Sequence, residues 1–171
     1  MSKEIATLET ERTWLRPFTI EDADSLYTIV KRPDVMRYVA HPHRTLEETQ
    51  NTITQGFLPH YVQHNYGRLA VIEKATNKLI GYSGLKHLPE IDEVDLAYLL
   101  HPNYWGRGLA TEVAQACLQH AEQELKLKRV VGLATPSNKA SIHILNKLGM
   151  QYEKNILFWG EEYQQHAWVN K

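Results

Sequence analysis

The sequence predicts a mixed α/β (α+β) fold, one domain over residues 1–171, with a central sheet of about six or seven strands and helices on both faces. Three observations predict it. Apolar residues recur at helical spacing from Leu109 to about Lys126. Strand signals flank that helix at Val94–Leu100 and Arg129–Ala134, which makes a strand–helix–strand crossover with its two strands parallel. Upstream, three strand signals separated by short turns read as two antiparallel hairpins.

In chain order, Thr13–Pro17 is a short strand. Thr19 caps a helix with Glu21 and Asp22 in its first turn, and Pro33 stops it. Thr45 opens a second helix over Leu46 to about Val62, and Glu48 three residues later completes a capping-box pattern. Leu69–Glu73 and Leu79–Leu85 are strands joined at Asn77-Lys78. In the next strand, Val94, Leu96, Tyr98 and Leu100 share one face, with Asp95, Ala97 and Leu99 on the other. Leu109, Val113, Cys117 and Ala121 form the apolar row of the long helix, with Ala110, Ala114, Leu118 and Leu125 beside it. Asn138–Leu148 is a helix stopped by Gly149, and Met150–Trp159 and Tyr163–Val169 are the last strands.

Composition narrows the function. A formal net charge of -1 and a pI near 6.8 give no reason to expect nucleic acid as a partner. A single cysteine, Cys117, allows no intrachain disulfide and no cysteine zinc cluster, and mid-helix on the apolar row it reads as packing. The histidines are scattered, so no metal is expected. Without a signal-like start or an apolar run of membrane length, the chain reads as soluble, cytoplasmic and without a membrane partner.

The most informative stretch is Asn103-Tyr104-Trp105-Gly106-Arg107-Gly108-Leu109-Ala110, between a strand and the long helix. Two glycines at i and i+2 permit backbone angles that aim several N–H groups to one side. The helix start adds unpaired donors and a positive dipole end. Together they suit a pyrophosphate, with Arg107 either adding a cation or lying in solvent. A P-loop is excluded, since no Gly-Lys-Ser/Thr follows, and the stretch lies too late in the chain for a dinucleotide fingerprint.

Asp95–Pro102 followed by Tyr104–Glu112 resembles the core of the GCN5-related N-acetyltransferases (GNAT). Asn138-Lys139-Ala140-Ser141 with Lys147-Leu148-Gly149-Met150 resembles their next motif. Glu11–Pro17, Glu21-Asp22-Ala23 and Pro33–Tyr38 are similar to the RimJ/RimL-like ribosomal-protein-alanine branch. The likeness spans nearly the whole chain. It implies the GNAT fold, split between the fourth and fifth strands, and direct acetyl transfer from acetyl-CoA to an amine. It implies that Gly106, Arg107, Gly108, Leu109, Ala110 and Thr111 hold the cofactor's diphosphate. Leu99 and Leu100 then meet the pantetheine arm, and Asn138 and Ser141 face it from the next helix. Asn103 departs from the family pattern, which has Gln or Arg at the first position of this motif; backbone amides would still bind.

The same resemblance assigns Asp95 as a base acting through water and Ser141 as a donor to the leaving thiolate. Glu93 is a second candidate base, assigned to the opposite face of the strand. The acceptor is read as a protein N-terminus or a small amine. At pH 7 a neutral α-amine costs about 1.2 kcal/mol to present, against ~4.6 for lysine, so a weak base suffices for the first. The alternative is a non-catalytic acyl-CoA-binding module, which would keep the Gly106/Gly108 loop and dispense with Asp95 and Ser141. A homodimer is a family expectation only.

Overall fold

The computed structural model describes residues 4–170. Its strands are β1 Leu8–Glu9, β2 Thr13–Pro17, β3 Arg68–Glu73, β4 Leu79–Leu88, β5 Glu93–Leu100, β6 Arg129–Ala134, β7 Gln151–Phe158 and β8 Glu161–Val169. Its helices are α1 Ala23–Val30, α2 Pro33–Met36, α3 Leu46–Asn51, α4 Leu58–His64, α5 Leu109–Gln123 and α6 Lys139–Lys147. The eight strands form one sheet in the order β1-β2-β3-β4-β5-β6-β8-β7. That is the expected mixed fold with one strand more. β1 has two residues and carries no periodic signal.

All neighbouring strands are antiparallel except β5 and β6. β4 and β5 stay in register from Glu93 to Leu100, whereas β5 and β6 share the single pair Asp95↔Val131. Beyond that pair the two parallel strands diverge toward their C-terminal ends. The split lies between the strands expected; counting β1, they are the fifth and sixth.

Alternation along β5 sorts its side chains between two cores. Leu96 and Leu100, with Val94 and Tyr98, pack against Leu109, Val113, Cys117 and Leu118 of α5 and Leu145 of α6. Leu99 packs on the other face with Ala70, Ile72, Leu26 and Ile53. A smaller cluster of Leu88, Phe158 and Tyr163 covers the far end of that face. Each fully buried side chain of this kind contributes roughly 1.5–3 kcal/mol.

Local details follow the sequence with two changes. The expected helix over Leu46–Val62 is interrupted by a π-helical stretch, Thr52–Phe57, and runs on to His64, where Asn65 at φ 64° ends it. Thr45 Oγ1 accepts from Glu48 N–H at 3.1 Å, but the Glu48 carboxylate takes the N–H of Arg44, one residue before the cap. The β7–β8 hairpin turns through Trp159 and Gly160 at φ 51° and 77°, positive at both central positions as a type I′ turn requires.

Candidate active site

The turn before α5 is built to leave its amides open. Gly106 and Gly108 sit at φ 72° and 74°, angles that glycine adopts without strain. Around them, side chains brace the segment. Trp105 Nε1 donates to Leu100 O at 2.8 Å, and Tyr104 Oη donates to Glu73 Oε1 at 2.9 Å. Arg12 Nη2 donates to Arg107 O at 3.0 Å, and the Glu112 carboxylate accepts from Thr10 Oγ1 at 2.6 Å and Arg12 Nε at 2.9 Å. The first intrahelical bond is Glu112 N–H to Gly108 O at 3.0 Å. Upstream of it, the N–H groups from Gly106 to Thr111 meet no acceptor among the described residues. A run of open amides at a helix start is an anion site by its own electrostatics. Asn103 is exposed, and the Arg107 guanidinium lies 5.5 Å over the Tyr104 ring at the surface.

The gap between β5 and β6 opens beside this turn. His101 N–H donates to Ile80 O on β4, so by alternation Leu99 also turns its backbone toward β4, and Tyr98 and Leu100 turn theirs into the gap. Trp105 occupies Leu100 O, which leaves the N–H groups of Tyr98 and Leu100 facing the open space.

Hydroxyls and a carboxylate flank the gap on opposite faces. On the α5/α6 face, Tyr98 Oη lies 2.7 Å from Ser141 Oγ and donates to Ser141 O at 3.0 Å. Asn138 Oδ1 accepts the Ser141 N–H at 3.2 Å and so caps α6. Burial pushes the Tyr98 phenol above its ordinary range, with the Ser141 hydrogen bond opposing. On the other face Asp95 is buried, 8% exposed, and its Oδ2 accepts from Arg68 Nη2 at 3.1 Å. Burial raises the Asp95 pKa, and the charges of Arg68 and Lys86 oppose that.

Glu93 was expected on the opposite face from Asp95. Two residues apart on one strand, the two share a face. What removes Glu93 from the site is Arg129, whose Nε donates to its carboxylate at 3.0 and 3.1 Å.

At the wide end of the gap, a cleft of about 320 Å³ is lined by Arg37, Tyr38, Thr135, Ser137, Glu161 and Glu162. Sequence reasoning assigned no role to Tyr38, Thr135, Ser137, Glu161 or Glu162, nor to Arg68 or Tyr98. The Tyr98 hydroxyl and the Arg68 guanidinium find partners across 43 and 27 residues, a distance over which periodicity is silent. Cys117 is buried, its thiol pushed up to about 11 by desolvation, with Ser83 Oγ at 3.6 Å. Among the described residues no cluster of His, Cys, Asp or Glu could hold a metal, and no helix is long and apolar enough to cross a membrane.

A sheet split between parallel strands, with an amide-lined helix start at its mouth, is an arrangement suited to an acyl-CoA thioester. The chain belongs to the GNAT acetyltransferases: a family model described as acetyltransferase (GNAT) domain matches residues 12–151. An uncharacterised N-acetyltransferase, p20 of Bacillus licheniformis, is 32% identical over 149 residues, covering 86% of this chain and 83% of that protein. The spermidine N(1)-acetyltransferase of Escherichia coli K12 is 26% identical over 148 residues, 84% of this chain and 75% of its own. A crystal structure of an acetyltransferase from Agrobacterium tumefaciens C58 superposes with a TM-score of 0.85 at 24% identity, over 99% of this chain and 98% of that one.

Proposed function

We propose that this chain moves the acetyl group of acetyl-CoA directly onto a primary amine, of a protein N-terminus or of a small molecule, and that one domain carries both substrates. The observation that carries this reading is the gap beyond Asp95↔Val131, with open amides at its mouth on one face and a buried carboxylate on the other. The donor enters from the α5/α6 face, its diphosphate on the amides from Gly106 to Thr111. Its pantetheine arm follows the free edge of β5. The N–H of Tyr98 or Leu100 then meets the thioester oxygen, where a donor of this kind is typically worth ~2.7–4 kcal/mol.

The amine comes from the other face, past the cleft at Glu161 and Glu162. Its ammonium loses a proton through water to Asp95, and the neutral nitrogen attacks the carbonyl carbon. The N–C bond forms, the C–S bond breaks, and the thiolate leaves with the pair. Ser141 Oγ–H donates to that thiolate, and the Tyr98 hydroxyl proton turns from Ser141 O to Ser141 Oγ as it does so. The nitrogen, positive in the adduct, gives its second proton to solvent as the amide forms, and the thiolate is then protonated from solvent.

The N-terminal segments that resemble the RimJ/RimL-like branch favour a protein N-terminus as acceptor. The likeness to a spermidine acetyltransferase favours a small amine. Acceptor profiling decides: acetyl-CoA is offered with peptides of varied N-termini and with small amines, released thiol is measured, and products are identified by mass. Acetyl-CoA that binds yet yields no CoA with any acceptor would make the chain an acyl-CoA-binding module instead.

A further inference from the structure

Asp95 carries a buried arginine that the reaction as described does not use. Arg68 lies on β3, where its register partner is Gly84 of β4, and Gly84 in turn pairs with Ala97 of β5. A Cβ at Gly84 would lie 2.3 Å from Gly67 O and 2.7 Å from Arg68 Cα, so only glycine lets β3 and β4 approach this closely. The guanidinium crosses β4 at this point. Its Nη1 donates to Gly84 O at 3.3 Å and its Nη2 to Asp95 Oδ2 at 3.1 Å. The two side chains are only 12% and 11% exposed. Lys86 is the direct register partner of Asp95, yet among the described residues the ion pair of Asp95 is with Arg68.

The carboxylate is therefore held asymmetrically. Oδ2 accepts from Arg68 Nη2, and the guanidinium is itself held at Nη1 by Gly84 O. Oδ1 accepts from no described residue and is not among the fully buried atoms without a partner, so it keeps contact with solvent. This is at the closed end of the gap, where Asp95 meets Val131.

We propose that Arg68 is a positioning residue for the transfer, fixing Asp95 by Oδ2 so that Oδ1 faces the water that takes the amine's proton. The inference rests on reading Asp95 as the base. A buried ion pair is weak evidence for a stabilising role, since desolvation of both charges offsets their attraction. A guanidinium that Gly84 O holds in place and that donates to Oδ2, with Oδ1 left open, is what orients a base. Lysine in place of arginine would supply the charge but not the fork.

The groups around Asp95 leave its titration readable. Tyr82 and Lys86 on β4, Tyr98 on β5 and Tyr163 on β8 are all near enough to feel its charge. From α4, His60 faces Arg68 and Lys86, and burial holds it neutral down to about 4. The three tyrosines are raised and stay protonated through neutral pH. Arg68 favours the Asp95 carboxylate, so its removal moves the acid limb of the rate profile upward.

The test compares variants of the full chain under acetyl-CoA saturation and across pH, with the acceptor found by profiling. Arg68→Gln is expected to lower kcat about tenfold, a fraction of what a complete general base supplies, with the acetyl-CoA KM unchanged. Its acid limb in kcat/KM should rise by about one pH unit. Arg68→Lys should keep the limb near its wild-type position and lose rate, and it carries the prediction if Arg68→Gln does not fold. Asp95→Asn with Arg68→Gln should be no slower than Asp95→Asn alone, because Arg68 acts through Asp95. If Asp95→Asn turns over at the wild-type rate, the assignment of the base fails and takes this inference with it. If Asp95→Asn is slow while Arg68→Gln keeps its kcat and acid limb, or if the two losses multiply, the inference about Arg68 fails alone.

Discussion

Gly132 seats the helix that carries Ser141, and replacing it with alanine should unseat that helix by a measurable amount. A Cβ at Gly132 would lie 2.4 Å from Leu145 Cδ2 and 3.4 Å from Leu145 Cδ1 and Met150 Cε. Carbon atoms pack at ~3.5–4.0 Å, so something must move by at least about 1 Å. Leu145 is 1% exposed, so its side chain can turn aside only against packed neighbours. Overpacking of this kind costs roughly 1–3 kcal/mol. For a chain of this size each kcal/mol shifts Tm by ~2–4 °C, so the expected loss is roughly 2–12 °C. The catalytic consequence follows from α6 itself. Ser141 Oγ is 2.7 Å from Tyr98 Oη, and a shift of about 1 Å takes that pair out of hydrogen-bond range. Misplacement on that scale can cost on the order of 100-fold in rate. Thermal unfolding followed by circular dichroism and steady-state kinetics read both effects. Gly132→Ala should lower Tm and kcat, with the KM for acetyl-CoA little changed because the amide-lined turn belongs to α5. Leu145→Ala in the same chain removes Cδ2 and should return part of the turnover without returning the stability. Gly132→Ala with wild-type Tm and kcat would refute the idea that this contact sets the height of α6.

Other expectations are narrower. Ser141→Ala should lower kcat with little change in acetyl-CoA affinity by calorimetry; an unchanged kcat would take Ser141 out of the mechanism. Gly108→Ala forces a left-handed angle on a residue with a Cβ, a strain of ~1–2 kcal/mol, and should weaken coenzyme A in titration calorimetry; equal affinity would move the diphosphate elsewhere. His60 accepts the His87 N–H at Nε2 (3.0 Å), and its pKa is lowered to about 4 chiefly by burial. The unfolded chain therefore binds more protons below pH 6.5, and stability should fall as pH drops from 6.5 to about 4. Urea melts across that window should show a shallower slope for His60→Gln, and an identical slope would assign the effect to another group.

What the sequence disclosed was what lies within one element or one turn. The buried row Leu109, Val113, Cys117 and Ala121 follows from helical period alone, and all four are buried as expected. The glycines at 106 and 108 were readable because positive φ is a local demand. The alternation along Val94–Leu100 was readable in the same way, and it carries over to the two cores. Contacts decided by topology were hidden. Arg68 meets Asp95 only because β3, β4 and β5 lie side by side, and nothing local in Gly67-Arg68-Leu69 marks it. Trp105 is 51% exposed, and nothing local marks its indole N–H as the donor that holds Leu100 O. The π-helical stretch at Thr52–Phe57 is a change of one residue per turn, too small to disturb an apolar pattern.

The chemistry of the site depends on a property of strands more than on any one side chain. β5 presents Tyr98 and Leu100 to the face of α5 and α6, and Asp95 and Leu99 to the face of α1. Donor and acceptor therefore need not compete for one pocket: each has its own side of the sheet. They can meet only where the sheet is open, and it opens just past Asp95↔Val131. A slip of one residue in the β4–β5 register would carry Asp95 to the donor face and Tyr98 to the acceptor face. Ser83 guards against such a slip, because its Oγ donates to Ala97 O at 2.8 Å across the two strands. A hydroxyl bond to a backbone carbonyl, buried at the level of the gap, thus ties the position of the base to that of the thiolate donor.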